Sequence, residues 1–338
     1  MQKSNRKKSR CNAPLRAVIV GCGWVAGGYD HADASSEIRT HAKAYALDDR
    51  VDLLAACDSD REVVQKFCQV WDVPHSFTDV REMLRSIEPD IVSICAPDEM
   101  HFELLEMCLD FPSIRGVWCE KPLATKSEGC SGLLDRYHEA NVSLLVNYMR
   151  SYCGEYLRLK KRLLDGEFGT IKKAVASYTK GIMHNGSHAM HLLLDWLGEP
   201  ERFHVSHAFV DHFPDDPTVD ACLMFGAVPV YLIGLDERDF SHFTLTLFTE
   251  RGQISLDEFG RKLNIRTVLD TPQASGHKVL GVAETYETGL ATAMADVLST
   301  LIAAVQNRGV KGDALSALKT LEITENLALM GKEVMDNG

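Results

Sequence analysis

The chain alternates between short apolar runs and amphipathic stretches. LRAVIV (15–20) is a β-branched run that stops at glycines, and VDLLAACD (51–58), DIVSICAP (90–97), RGVWCEKP (115–122) and VSLLVNY (142–148) are of the same kind. Runs this short, with no polar face, predict buried parallel strands. Between them, REVVQKFCQVW (61–71) is apolar at 63, 64, 67, 68 and 71, a helical spacing. VREMLRSI (80–87), FELLEMCLDF (102–111) and EGCSGLLDRYHEA (128–140) carry similar helical patterns. Strands alternating with helices predict an α/β domain over 14–148, a doubly wound parallel sheet.

The rhythm changes near residue 150. EYLRLKKRLLDGEFG (155–169) predicts a helix, KKAVASYTKG (172–181) a strand, and HAMHLLLDWLG (188–198) a short helix stopped by Gly198 and Pro200. Strand-like runs follow at 203–210, 220–226, 228–236, 242–250 and 253–258, with another at 262–268. Their short turns predict an open antiparallel sheet. Helices are expected at 287–307 and 313–334. This second, α+β domain is placed at 149–338. No Pro/Gly linker marks the boundary, so the domains are expected to pack closely.

Composition narrows the picture. The 338 residues, 45% hydrophobic and 25% charged, suit two soluble globular domains. The 36 basic and 48 acidic residues leave a formal charge of −12. Such a surface repels phosphate backbones and anionic lipids, so neither nucleic acid nor a membrane is an expected partner. Lys3, Arg6, Lys7, Lys8 and Arg10 crowd a basic arm, 1–13, read as solvated and disordered. No apolar run is long enough for a membrane span, and no apolar stretch follows the arm as in a secretory signal. The ten cysteines form no CxxC pair; Cys57, Cys95 and Cys119 sit in apolar runs and read as small buried hydrophobes. A reducing compartment, by default the cytoplasm, is the expectation.

Directly after the first strand comes Gly21-Cys22-Gly23-Trp24-Val25-Ala26, a G-x-G-x-x-[GA] turn. Gly21 permits the turn, Gly23 lets the backbone approach a pyrophosphate, and Ala26 lets the following helix pack close to the strand. Cys22 reads as a small spacer. The second strand ends in Asp58, whose carboxylate can accept from both ribose hydroxyls and repels a 2′-phosphate. NAD is therefore the expected cofactor. Arg61, which can pair with a 2′-phosphate, keeps NADP open. Asp58 stands further from Gly21 than is usual, and 27–45 reads as an insertion.

With the nucleotide turn, Ala96-Pro97-Asp98-Glu99-Met100-His101, Glu120-Lys121-Pro122 and Gly186-Ser187-His188, the chain resembles the Gfo/Idh/MocA family of oxidoreductases from Leu15 to about Glu333. The resemblance implies an N-terminal Rossmann domain and a C-terminal domain whose open sheet mediates homodimer or homotetramer contacts. It implies Lys121 as the catalytic lysine, with Glu120 near the nicotinamide ribose. Ala96, Pro97 and His101 would border the cofactor, and His188 would act as acid or base. Asn147 and Arg150 enter the second domain and, with Asn185, would line the substrate site. Three positions depart from the family pattern: Asp98 replaces an asparagine, and His184 and His191 stand where many members carry aspartate. His184 could relay a proton instead.

Hydride transfer from a secondary alcohol needs a base for the hydroxyl proton and a donor for the developing carbonyl oxygen. A lysine near a histidine supplies both. The predicted function is NAD(P)-dependent oxidoreduction of a sugar, cyclitol or nucleotide-sugar hydroxyl. Alternatives are an NAD-retaining lyase or epimerase and a non-enzymatic NAD-binding sensor. His184, His188 and His191 have a spacing that could hold zinc, but Asn185-Gly186-Ser187 reads as a helix entry with Ser187 as N-cap, which argues against a metal. His31, His41, His204, His207, His212, His242 and His277 carry no spacing signal and read as surface or core residues.

Overall fold

The computed structural model of the protein describes residues 13–30, 36–270, 276–307 and 314–337. The basic residues of the N-terminal arm and His31 lie outside them. The first sheet contains β1 (Leu15–Val20), β2 (Val51–Cys57), β3 (His75–Phe77), β4 (Ile91–Ile94), β5 (Gly116–Cys119) and β6 (Ser143–Val146). Its order is β3-β2-β1-β4-β5-β6, and every pairing is parallel. β4 and β5 are buried at every residue, as strands covered on both faces must be. Chain order reverses between β1 and β4, so the loops leaving these strands part and open a crevice at the carboxyl edge. β3 was not predicted; HSF is short and lacks an apolar run.

Five helices lie within this region: α1 (His41–Ala46), α2 (Arg61–Trp71), α3 (Val80–Ile87), α4 (His101–Cys108) and α5 (Cys130–Glu139). Asp60 caps α2 by accepting from the Glu62 and Val63 amides, and Asp79 caps α3 through the Glu82 amide. The helix expected directly after the glycine turn is interrupted. Residues 24–30 form only a short helical turn, in which the Tyr29 amide donates to the Trp24 carbonyl. Helical bonding resumes in α1, where the His41 and Ala42 amides donate to the Val25 and Ala26 carbonyls. Asp30 joins the end of the short turn to the entry of α1, accepting from the Arg39 amide (3.0 Å) and the Thr40 hydroxyl (2.8 Å).

The second sheet has nine strands: β7 (Ile171–Tyr178), β8 (Arg202–Phe209), β9 (Thr218–Phe225), β10 (Val228–Gly234), β11 (Phe243–Thr249), β12 (Gly252–Asp257), β13 (Lys262–Asp270), β14 (Lys278–Leu280) and β15 (Glu284–Glu287). It is not wholly antiparallel as predicted. β7 and β10 run parallel, because β7 inserts between β10 and β11. Strand residues alternate: Phe243, Leu245 and Leu247 of β11 are buried, while Tyr231 and Ile233 of β10 and Phe248 stand exposed on the opposite face. The buried face is covered by α6 (Gly154–Leu164), α7 (Ser187–Leu197) and the long α9 (Ala314–Asn337).

The predicted helix 287–307 begins later, as α8 (Ala293–Asn307); its first residues form β15 and a 3-10 turn. α8 packs on the first sheet, not the second. Met294, Val297, Leu298, Leu301, Ile302 and Val305 are buried against β-strand residues such as Ile19, Ile91 and Trp118. Gly116 makes room for it, since a side chain there would meet Val305 and Leu301. Each such aliphatic contributes about 1.5–3 kcal/mol by burial. α9 likewise spans both cores, with Leu318 and Leu321 in one and Leu327 in the other.

Candidate active site

β1 exits directly into the glycine turn. Gly21 has φ +86°, and a Cβ there would lie 2.6 Å from the backbone of Cys95 and Ala96, so only glycine lets the exits of β1 and β4 run together. At Gly23 nothing lies within 4 Å of where a Cβ would be, which leaves the backbone open to a close-approaching group. Trp24 is 70% exposed beside Tyr29, Val25 is half-buried, and Ala26 is fully buried. Asp58 sits at the edge of the turn; its carboxylate accepts from the Cys22 amide at 2.9 Å and the Asp60 amide at 3.0 Å. Arg61 is exposed in the first turn of α2. Burial and then Asp58 hold the Cys22 thiol protonated, as befits a spacer. Open backbone at Gly23, unpaired amides opening a helical turn and a fixed carboxylate fit the pyrophosphate and ribose of a dinucleotide. Gly21, Gly23, Trp24 and Val25 would hold the first and Asp58 the second.

Glu120 follows β5 and is gripped from two sides. His41 Nε2 lies 2.9 Å from Glu120 Oε1, and the Asn147 amide donates to the same oxygen at 2.5 Å. His41 is fully buried, its ring tilted against Trp118 with centroids 3.8 Å apart, and its other nitrogen meets Ser93, which also contacts the Tyr45 hydroxyl. Burial works against the charged form of Glu120, but His41, Asn147 and Lys121 outweigh it and hold the carboxyl below its ordinary range. His41 comes from α1, so the split helix delivers it. His101 is also fully buried; it bridges the Pro122 carbonyl (2.7 Å) and the Ala96 carbonyl (3.1 Å), joining the loops after β4 and β5. Pro97 stays exposed in the first of these loops.

Lys121 reaches across to the second domain. Its ammonium donates to the His184 carbonyl at 3.3 Å and lies 3.5 Å from His184 Nδ1. Burial lowers the Lys121 pKa, against the opposing charges of Asp98, Glu120 and Asp216. Burial, with Lys121, Lys180 and His212, pushes His184 down to about 3, so its ring is neutral. His184 belongs to a π-helical turn, Gly181–Gly186, that runs straight into α7. Ser187 is therefore not an N-cap; its hydroxyl donates to the His184 carbonyl within the continuous helix. Asn185 is half-buried on the same turn.

His188 is one turn further on, its ring edge-to-face with Tyr148, and burial followed by the charges of Arg150 and Lys121 lowers its pKa strongly. Arg150 is held by the Phe259 carbonyl (2.8 Å) and lies over the Phe243 ring (4.4 Å). The three histidines do not converge. His191 stacks on Tyr148 and contacts Thr320 and Ser316 of α9, away from His184. Among the described residues, no three His, Cys, Asp or Glu side chains stand close enough to hold a metal ion.

One carboxylate here gave no signal in the sequence. Asp216, on the loop between β8 and β9, is 9% exposed and accepts from the Met183 amide (2.9 Å) and the His184 amide (2.8 Å). A cavity of about 590 Å3 opens against His184 and Asp216, lined also by Asp98, Pro122, Phe213 and Glu325.

The buried histidines tie stability to pH. In the unfolded chain they take up protons near 6.5; folded, His184 and His191 do so only near about 3. Their contribution is complete above about 6.5 and is lost as pH falls toward 3. Asp216 acts in the opposite sense between 3.8 and about 6, a narrower window on one group. The histidines prevail, and Tm is expected to drop by about 10 °C or more between about pH 7 and pH 4.5 in calorimetric scans. A flat Tm over that range contradicts the neutral, buried assignment.

The fold and site define a two-domain dinucleotide-binding protein of the Rossmann class, with a lysine–histidine pair at the carboxyl edge of its parallel sheet. Residues 15–148 match the model of the Gfo/Idh/MocA oxidoreductase family, NAD-binding Rossmann fold. The chain is 27% identical over 165 residues to D-glucoside 3-dehydrogenase of Escherichia coli, covering 49% of this chain and 43% of that protein. It is 29% identical over 153 residues to inositol 2-dehydrogenase/D-chiro-inositol 3-dehydrogenase of Lactiplantibacillus plantarum, covering 45% and 40%. The match thus spans less than half the length of these relatives. In three dimensions the whole fold is shared with an oxidoreductase from Agrobacterium radiobacter solved with NAD+, L-tartaric acid and magnesium (TM-score 0.71, 15% identity, 94% of this chain and 96% of that one). Among the described residues, no helix is long and apolar enough to cross a membrane.

Proposed function

We propose that the protein is an NAD-dependent dehydrogenase acting on a hydroxyl of a sugar or cyclitol. The observation that carries this reading is the contact of Lys121, after β5, with His184 from the second domain, a residue that lines a cavity. When bound, nicotinamide supplies the acceptor for hydride from the alcohol carbon. Neutral Lys121 takes the hydroxyl proton and, as the ammonium, holds the new carbonyl oxygen by a hydrogen bond. Its lowered pKa makes the neutral amine accessible near working pH. His184 Nδ1 accepts from Lys121 and orients it, which places the ring proton on Nε2. His188, neutral for the same reason, is a second base for a substrate hydroxyl. Glu120, fixed by His41 and Asn147, stands ready to accept from a ribose hydroxyl.

Around the cavity stand Asp98, Glu99, Asp215, Asp216 and Glu325, against Lys126 and Lys332. That balance favours a neutral polyol over a phosphorylated or nucleotide-linked sugar, and NAD over NADP accords with Asp58. The test is a screen of neutral sugars, cyclitols, sugar phosphates and nucleotide sugars with NAD, read by absorbance of the reduced nicotinamide. Turnover is expected on a neutral sugar or cyclitol, with kcat/KM at least about tenfold lower for its phosphate. Tight NAD binding without turnover on any compound would move the assignment to a sensor. NAD that stays bound while substrate is converted without net reduction would move it to a lyase or epimerase. The exposed sheet face bearing Tyr231, Ile233 and Phe248 is the surface proposed for self-association into a dimer or tetramer.

A further inference from the structure

We propose that Asp216 is a positioning residue of the reaction: from a remote loop it binds two consecutive backbone amides of the π-helical turn, and through that backbone it holds His184 against Lys121. The proposal rests on the dehydrogenase reading and adds to it a residue outside every motif.

The geometry is specific. Each Asp216 oxygen takes one of two consecutive backbone amides, Met183 on Oδ1 and His184 on Oδ2. The turn also needs glycine at 181, where φ is +78° and a side chain would run into the Asp216 carboxylate. A second carboxylate secures the loop: Asp211 accepts from the Lys180 amide (2.7 Å) and the Thr218 hydroxyl (2.9 Å), and Thr218 accepts from the Gly181 amide (2.8 Å). The His184 amide and carbonyl are therefore both committed, the first to Asp216 and the second to Lys121. A carboxylate that only stabilised the turn could sit anywhere along it. This one sits where its charge is felt by Lys121.

The titratable groups facing Lys121 are Asp98 from the loop after β4, its neighbour Glu120, Asp216 from the β8–β9 loop, Lys180 before the π-helical turn, His184 on it and His188 of α7. Lys180 opposes the ammonium and the three carboxylates favour it. Asp216 itself faces Lys121 and Asp211. Neutralising Asp216 removes one favourable charge, so Lys121 must titrate at lower pH.

The experiment compares wild type with Asp216→Asn and Asp216→Glu by two readouts: the pH profile of kcat/KM for alcohol oxidation, and the NMR titration of the Lys121 ε-carbon, identified by its loss in Lys121→Ala. Asp216→Asn is expected to lower kcat at least about tenfold, to leave NAD affinity within about threefold, and to move the acidic limb and the ε-carbon titration to lower pH by about half a unit or more. Asp216→Glu restores the limb to within about 0.2 units. A purely structural role would lower kcat or Tm and leave both titrations in place, which overturns the proposal. If Asp216→Asn does not fold, Asp216→Glu decides alone, and a Lys121 titration displaced by a full unit in that variant overturns it. The NMR titration needs no substrate, so failure of the dehydrogenase reading and failure of this proposal are separable.

Discussion

Lys121→Ala is expected to lower kcat at least about 1,000-fold and to leave the NAD dissociation constant within about threefold. A general base contributes about 10²–10⁴-fold on its own. In the proposed mechanism Lys121 is also the donor to the developing oxygen, so both contributions would be lost together. Cofactor affinity should persist because the proposed binding residues, Gly21, Gly23 and Asp58, follow β1 and β2 rather than β5. Removing the ammonium leaves the His184 carbonyl without that donor, a cost confined to the domain interface. Steady-state kinetics with calorimetry of NAD binding separates the two effects. Activity near that of wild type would sink the catalytic assignment.

Asp58→Ala is expected to raise the NAD dissociation constant roughly 10- to 100-fold while NADP affinity changes far less. A hydrogen bond to a charged group is worth about 1.5–3 kcal/mol, and about 1.4 kcal/mol is a factor of ten. The same carboxylate also accepts from the Cys22 and Asp60 amides, so alanine additionally loosens the glycine turn. Asp58→Asn separates these roles in part: its Oδ1 keeps one of the two backbone amides, its NH2 cannot accept from the other, and the charge that repels a 2′-phosphate is lost. Its NAD-to-NADP preference should narrow with a smaller loss of Tm than in Asp58→Ala. Unchanged selectivity in both variants would show that Asp58 does not face the ribose.

Much of this arrangement was legible where local chemistry decides local structure. α2 and α3 were placed to the residue, because Asp60 and Asp79 cap periodic apolar runs. The places of the glycine turn, Asp58 and Lys121 at the ends of β1, β2 and β5 were legible because each follows a buried strand. The misses have physical causes. β3 and α1 are too short for periodicity to register, and α1 is the continuation of a helix that the insertion after Ala26 interrupts. The parallel pairing of β7 with β10 depends on which strand slides between which, and no turn residue encodes that. His41 and Asp216 act through distant partners, Glu120 and the His184 amide. One of two histidines in an insertion and one aspartate among 48 acidic residues carry no spacing to mark them. The Thr40 side chain caps α1 by accepting from the Lys43 amide.

The most direct test of the whole scheme is isothermal titration of NAD into the folded protein at neutral pH and moderate salt. A single site per chain with micromolar affinity, weakened by Asp58→Ala and preserved in Lys121→Ala, is the predicted result. Well-folded protein that gives no heat with NAD, NADP or their reduced forms at several temperatures would contradict it.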